Sequence, residues 1–158
     1  MAVYTINTSN ECFEGDVRIE LDGKYPNEKS IIDWLQSGNF YEPDVSNVIL
    51  RVLRKGDLFI DVGANVGFFT LVSAALVGST GRVISIEPDE KNLDRLTTSA
   101  GLNPFENIIL IKRPVSNKVQ DVDFFINRDD SGGNALWDPG EFPGNIKSKA
   151  NRKSIPMT

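Results

Sequence analysis

Asp61-Val-Gly63-Ala-Asn65-Val-Gly67 sets an acid, an amide and two glycines within one short stretch. Glycines in such a turn remove side chains, so a ligand can lie directly against the backbone. Asp61 can accept from a backbone amide of the turn or, through water, from a ligand's ammonium. Twenty residues beyond Gly67 stands Glu87, closing the apolar run Val83-Ile-Ser-Ile86. An acid at that place is positioned to accept hydrogen bonds from the two hydroxyls of a ribose. Together these residues point to an adenosine-containing cofactor.

The spacing narrows the choice. A dinucleotide fingerprint counted from Gly63 needs its third glycine at position 68, which is Phe68. No Gly-Lys-Ser/Thr follows, so a P-loop is also ruled out. Acid-x-Gly-x-Asn-x-Gly instead resembles the S-adenosylmethionine loop of class I methyltransferases, with Asn65 in place of the usual middle glycine. Asp61-Val-Gly-Ala-Asn-Val-Gly-Phe-Phe-Thr70 with Ile86-Glu-Pro-Asp89 resembles, more narrowly, the FkbM-type methyltransferase family. Phe40-Tyr-Glu-Pro43, Pro114-Val-Ser-Asn117 and Ser131-Gly-Gly-Asn-Ala-Leu136 are similar as well, so the resemblance covers roughly residues 38 to 158.

That resemblance implies S-adenosyl-L-methionine as cofactor, held by Asp61, Gly63, Asn65, Gly67 and Glu87. Pro88 and Asp89 would line its adenine side, and Val115 and Ser116 the opposite wall. The reaction implied is methylation of a hydroxyl oxygen on a sugar or secondary metabolite, a small-molecule or glycan acceptor. The catalytic base is unassigned; Asp129, Asp130 and Asp138 are the loop acids within reach of such a role. A family member would continue into a fourth strand bearing an acid, then three more. The chain is therefore expected to be the N-terminal part of a longer protein. Two other readings stand beside this one: a truncated or degenerate cofactor-binding domain without turnover, and an NAD-dependent oxidoreductase.

Composition bounds these readings. The chain has 158 residues, 40% hydrophobic and 25% charged, enough for one domain with a buried core. A net charge of −5 argues against a nucleic-acid partner, whose phosphates would need neutralising by Lys and Arg. Histidine is absent, which removes the commonest general base and zinc ligand. Cys12 is the only cysteine, so no internal disulfide and no cysteine-rich metal site is expected. The N-terminus does not read as a signal peptide, and the longest apolar run, around residues 68 to 77, is too short to span a bilayer. No membrane partner and a cytoplasmic location are the expectation.

The elements that must position these residues can be read from periodicity. Val17–Leu21 alternates as a half-exposed strand. Asn27 is expected to cap a helix carrying Ile31, Ile32 and Leu35. A second helix from about Pro43 to Arg54 gathers Val45, Val48, Ile49, Val52 and Leu53 on one face. Glu42 sits at its start, where the dipole favours an anion, and capping is its expected role. Then come strand 57–62, helix 66–77, strand 82–87, helix 89–101 and strand 107–112, with a further strand at Val122–Ile126. Right-handed crossovers give the spatial order third, second, first. The fold class is α/β, a Rossmann-like parallel sheet with helices on both faces and extra antiparallel strands. Residues 1–55 lead in, and 56–158 form the partial cofactor-binding domain. Residues 127–153, including Lys147, Lys149, Arg152 and Lys153, read as turns and solvated loop. The first strand is left as an unpaired edge lined by Leu58, Phe59, Ile60 and Val62, which suggests a homodimer through that edge.

Overall fold

A computed structural model of the chain describes residues 1–6, 16–127, 130–136, 145–153 and 155–156. Strands β1 (Ala2–Ile6) and β2 (Val17–Leu21) pair antiparallel, followed by helices α1 (Pro26–Gln36) and α2 (Pro43–Val52). The central unit is β3 (Leu58–Val62), α3 (Phe68–Val77), β4 (Arg82–Ile86), α4 (Glu90–Gly101) and β5 (Ile108–Ile111). Strands β3, β4 and β5 form a parallel sheet in that spatial order, as the crossover rule requires. Beyond it lie β6 (Val115–Ser116), β7 (Asp121–Asn127), a 3-10 turn at Ser131–Gly133, β8 (Asn145–Lys153) and β9 (Ile155–Pro156).

The alternation of each strand decides the core. Phe59, Val83 and Ile108 stand in one row across the sheet and pack against Ala74 and Val77 of α3. The hairpin β1–β2 covers the far side of the helices, so Ile6, Val17, Ile19 and Leu21 join Phe68, Leu71 and Val72 in one buried cluster. Residues from 1–55 and from 56–158 therefore share a core. Helices α3 and α4 lie on one face of that sheet, because the two right-handed crossovers step in the same direction. The row on the opposite face, Ile60, Ile84 and Ile109, leaves Ile60 50% and Ile109 40% exposed.

Three local expectations change. Tyr25, not Asn27, precedes α1, because Pro26 occupies the first helical position. The apolar face of α2 is split: Ile49 is buried, while Val45, Val48 and Val52 are exposed. Residues 145–153 form a strand rather than a loop. Their backbone pairs antiparallel with β7, and pairing of this kind overrides a polar, Lys-rich composition. Cys12, Asp129 and Asp138 lie outside the described residues.

Two side chains bind elements together where periodicity gave no signal. Glu28 of α1 is fully buried, accepts from the Asp22 amide at 2.6 Å and from Arg95 Nη1 of α4 at 2.5 Å. Burial pushes its carboxyl above the usual 4.5, against the pull of those two partners. Asn107, just before β5, donates through Nδ2 to the carbonyls of Ala74 (3.0 Å) and Gly78 (2.8 Å) and so closes the C-terminus of α3. Asn107→Ala leaves those carbonyls without this donor and is expected to cost roughly 1–3 kcal/mol. At about 2–4 °C per kcal/mol for a chain of this size, thermal unfolding should register the loss as a lower Tm.

Candidate functional site

The turn after β3 is built from three left-handed residues, Gly63 (φ 80°), Asn65 (φ 51°) and Gly67 (φ 93°). Asparagine tolerates that region better than other side-chain-bearing residues, which explains how Asn65 stands where a glycine is usual. Gly63 and Ala64 donate their amides to the Ile86 carbonyl at 2.8 and 3.2 Å, drawing the turn onto the end of β4. The two glycines serve different ends. A Cβ on Gly63 would meet nothing within 4 Å, whereas one on Gly67 would lie 2.6 Å from Leu96 Cγ of α4. Gly63 opens space above the turn; Gly67 lets two helices approach.

Glu87 locks this turn from below. It is 4% exposed, with Oε2 accepting from the Asn65 amide and Oε1 from the Asp89 amide, both at 2.8 Å. Burial raises its pKa, and the two backbone donors oppose the shift. Asp89 in turn caps α4, its Oδ1 accepting from the amides of Lys91 (2.9 Å) and Asn92 (3.1 Å). Asp61 is fixed from the other side. Thr70 donates its hydroxyl proton to Asp61 Oδ2 at 2.5 Å, and Ser85 lies 2.7 Å from the same Thr70 oxygen. Thr70 has one proton to give, so Ser85 is the donor in the second contact. Burial raises the Asp61 carboxyl, and its bonds to Thr70 lower it.

Two cavities flank the turn and share Gly63, Asn65 and Gly132. The smaller, about 120 Å³, is bounded by Glu87, Pro88, Phe124 and Asn134. The larger, about 220 Å³, is bounded by Asp61, Tyr41, Glu42, Asn27 and Phe69. Glu42 has a left-handed backbone (φ 45°), and its side chain makes no capping bond to α2. The Tyr41 hydroxyl is pushed up to about 12, first by burial and then by the neighbouring Glu42 carboxylate and the charge of Asp130. A roomier cavity, about 550 Å³, lies beside Gly78, Arg82 and Asn107 at the amino end of the sheet, away from the turn.

The fold thus gathers Asp61, Gly63, Asn65, Glu87 and Pro88 around one turn. Gly67 borders neither cavity and packs against Leu96. Val115 and Ser116 form β6, paired with β9, and border neither cavity. Asp130 lies near Tyr41, with Oδ1 accepting from the Gly132 amide at 3.0 Å. Periodicity passed over Tyr41, Asn27 and Asn134 as lining residues. The only signal was that Tyr41-Glu42-Pro43 and Gly132-Gly-Asn134 belong to the supporting motifs. Among the described residues no cluster of His, Cys, Asp and Glu could hold a metal ion, and no helix is long and apolar enough to cross a membrane.

The family model described as "Methyltransferase FkbM domain" matches residues 61–155, more than half of the chain. A probable cobalt-precorrin-6B C(15)-methyltransferase (decarboxylating) of Saccharolobus solfataricus is 36% identical over 61 residues, 38% of this chain and 31% of that protein. The chain thus matches about a third of this relative's length. Among solved structures, a putative rRNA-methylase from Clostridium thermocellum aligns with a TM-score of 0.43 and 28% identity, over 45% of this chain and 39% of that one. An SAM-dependent O-methyltransferase from Thermotoga maritima aligns with a TM-score of 0.42 and 28% identity, over 53% and 34%.

The contrast between the two glycines is measurable. Ala at either position meets a positive φ, but only Gly67→Ala also drives a methyl into Leu96. Overpacking of that kind costs typically about 1–3 kcal/mol. Urea denaturation should therefore show Gly67→Ala less stable than Gly63→Ala by an amount in that range.

Proposed function

The chain belongs to the FkbM methyltransferase domain family, and from that premise we propose that the protein transfers a methyl group from S-adenosylmethionine to a hydroxyl oxygen of a small-molecule or glycan acceptor. The observation that carries this reading is the pair of cavities on either side of Gly63. One is floored by Glu87. The other is lined by Asp61 and Glu42, with no Lys or Arg among its lining residues. A pyrophosphate would be repelled there, while a ligand with cationic groups and a ribose finds acceptors for both. This disfavours the NAD reading independently of the glycine spacing.

The residues present fit the cofactor. Gly63 would let it rest on the backbone. Glu87 keeps lone pairs beyond the two that bind Asn65 and Asp89, and these would receive ribose hydroxyls. Pro88 would bound the adenine side. When bound, S-adenosylmethionine supplies a methyl carbon activated by its sulfonium. The protein's share is to orient the acceptor, and such positioning can be worth about 7–11 kcal/mol. A hydroxyl acceptor also gives up a proton. With no histidine in the chain, its carboxylates are the candidates to receive it. Among the described residues, Asp130, whose charge is felt by Tyr41, is one such carboxylate. The net charge of −5 supports an acceptor other than nucleic acid. We assign the protein to the cytoplasm.

We further propose self-association through β3. Among the described residues its outer edge pairs with nothing, and Leu58, Ile60 and Val62 are 59%, 50% and 50% exposed. An open apolar edge is a template for a second strand.

Titration calorimetry should show saturable binding of S-adenosylhomocysteine and no heat with NAD; the reverse pattern would discard the methyltransferase reading. Sedimentation of the 158-residue chain should reveal dimers or larger species, and Ile60→Lys should shift it toward monomer.

A further inference from the structure

We propose that the cavity between α1, α4 and β7 binds the carboxylate of a small organic acid, gripped by Arg95 through two side-by-side N–H donors. The site is independent of the methyl-transfer reading. The cavity, about 250 Å³, is bounded by Tyr25, Glu28, Lys91, Arg95, Asn127 and Asn134. It is distinct from the two beside Gly63, although Asn134 also lines the smaller of those.

Arg95 carries the inference. Its Nη1 donates to Glu28 Oε1 at 2.5 Å, and its guanidinium carbon lies 5.6 Å from the centre of the Tyr25 ring. Both contacts hold the group in place. Its Nε and Nη2 are buried and find no acceptor among the described residues. These two atoms form one edge of the guanidinium, a fork that matches the two oxygens of a carboxylate. Glu28 is met by Nη1 alone, and a lysine would supply that charge without burying a second pair of donors. Buried donors are ordinarily satisfied, so two on one edge call for a ligand group. Asn134 repeats the pattern. Its Oδ1 accepts from the Asn127 amide at 2.9 Å, while its buried Nδ2 has no partner among the described residues. Lys91, one helical turn before Arg95, lines the same cavity and is exposed. The lining charges decide between anions. Arg95 and Lys91 offset Glu28 and Asp89, so a single negative charge is accommodated better than the double charge of phosphate.

Heteronuclear NMR of the full chain reads the Arg95 Nε–H directly. Glucuronate is the probe, glucuronamide its neutral counterpart and inorganic phosphate the competing anion. Glucuronate should move that signal saturably, with glucuronamide and phosphate at least about tenfold weaker. Asn134→Asp keeps an acceptor for the Asn127 amide but sets a negative charge where the donor stood. Calorimetry should show it binding glucuronate at least about tenfold more weakly than wild type. Arg95→Lys keeps a cation for Glu28 and loses the fork, so it should unfold cooperatively yet bind no glucuronate. An Arg95 signal that ignores glucuronate, or equal responses to glucuronate and glucuronamide, would overturn the assignment. So would tighter binding of phosphate, or wild-type affinity in either variant.

Discussion

A single buried carboxylate holds the functional end of this molecule together. Glu87 lies at the end of β4, where an unpartnered charge would be strongly disfavoured. The fold answers by aiming two backbone amides at it, one from the turn after β3 and one from the start of α4. Because each amide belongs to a different loop, meeting the charge also fixes the distance between those loops. The residue that would receive a ribose therefore also shapes the place that receives it.

The same economy governs the other side of the turn. Asp61 is anchored through Thr70 and Ser85, so β3, α3 and β4 meet in one chain of short polar contacts beneath Gly63. A buried network of this sort is stable only when its members are satisfied, and satisfied members are rigid. Above it, Gly132 closes over Asn65, and Tyr41 and Glu42 form the outer wall. Rigid acids below and a polar wall above leave an open space whose electrostatic preference is for a cation.

The sheet presents two unlike faces. One is sealed by α3 and α4 and, outside them, by the β1–β2 hairpin, whose apolar residues enter the same cluster as those of α3. The other shows Ile60 and Ile109 to solvent, continuous with the open edge of β3.

Much of this was legible in the chain itself. Continuous apolar runs marked the three parallel strands, the crossover rule gave their order, and the Asp61-to-Gly67 spacing with Glu87 singled out the residues that the fold gathers around one turn. Those signals are local: they depend on side-chain type and on periods of two or 3.6 residues. Asp89 as the cap of α4 was legible for the same reason. Strand β8 was not, because its Lys- and Asn-rich sequence carries no alternation and exists as a strand only through pairing with β7. Nor could sequence separate Gly63 from Gly67, since the difference is the approach of Leu96 from a helix about thirty residues away. Glu42 shows the limit most clearly: its place before a helix reads as a cap, yet its backbone is left-handed, its side chain makes no capping bond, and it lines the cavity with Asp61. Residue types and spacing determined which groups could bind a cofactor. Only the packing of distant elements decided which of them face the open space, because burial and direction are properties of neighbours that the local sequence does not contain.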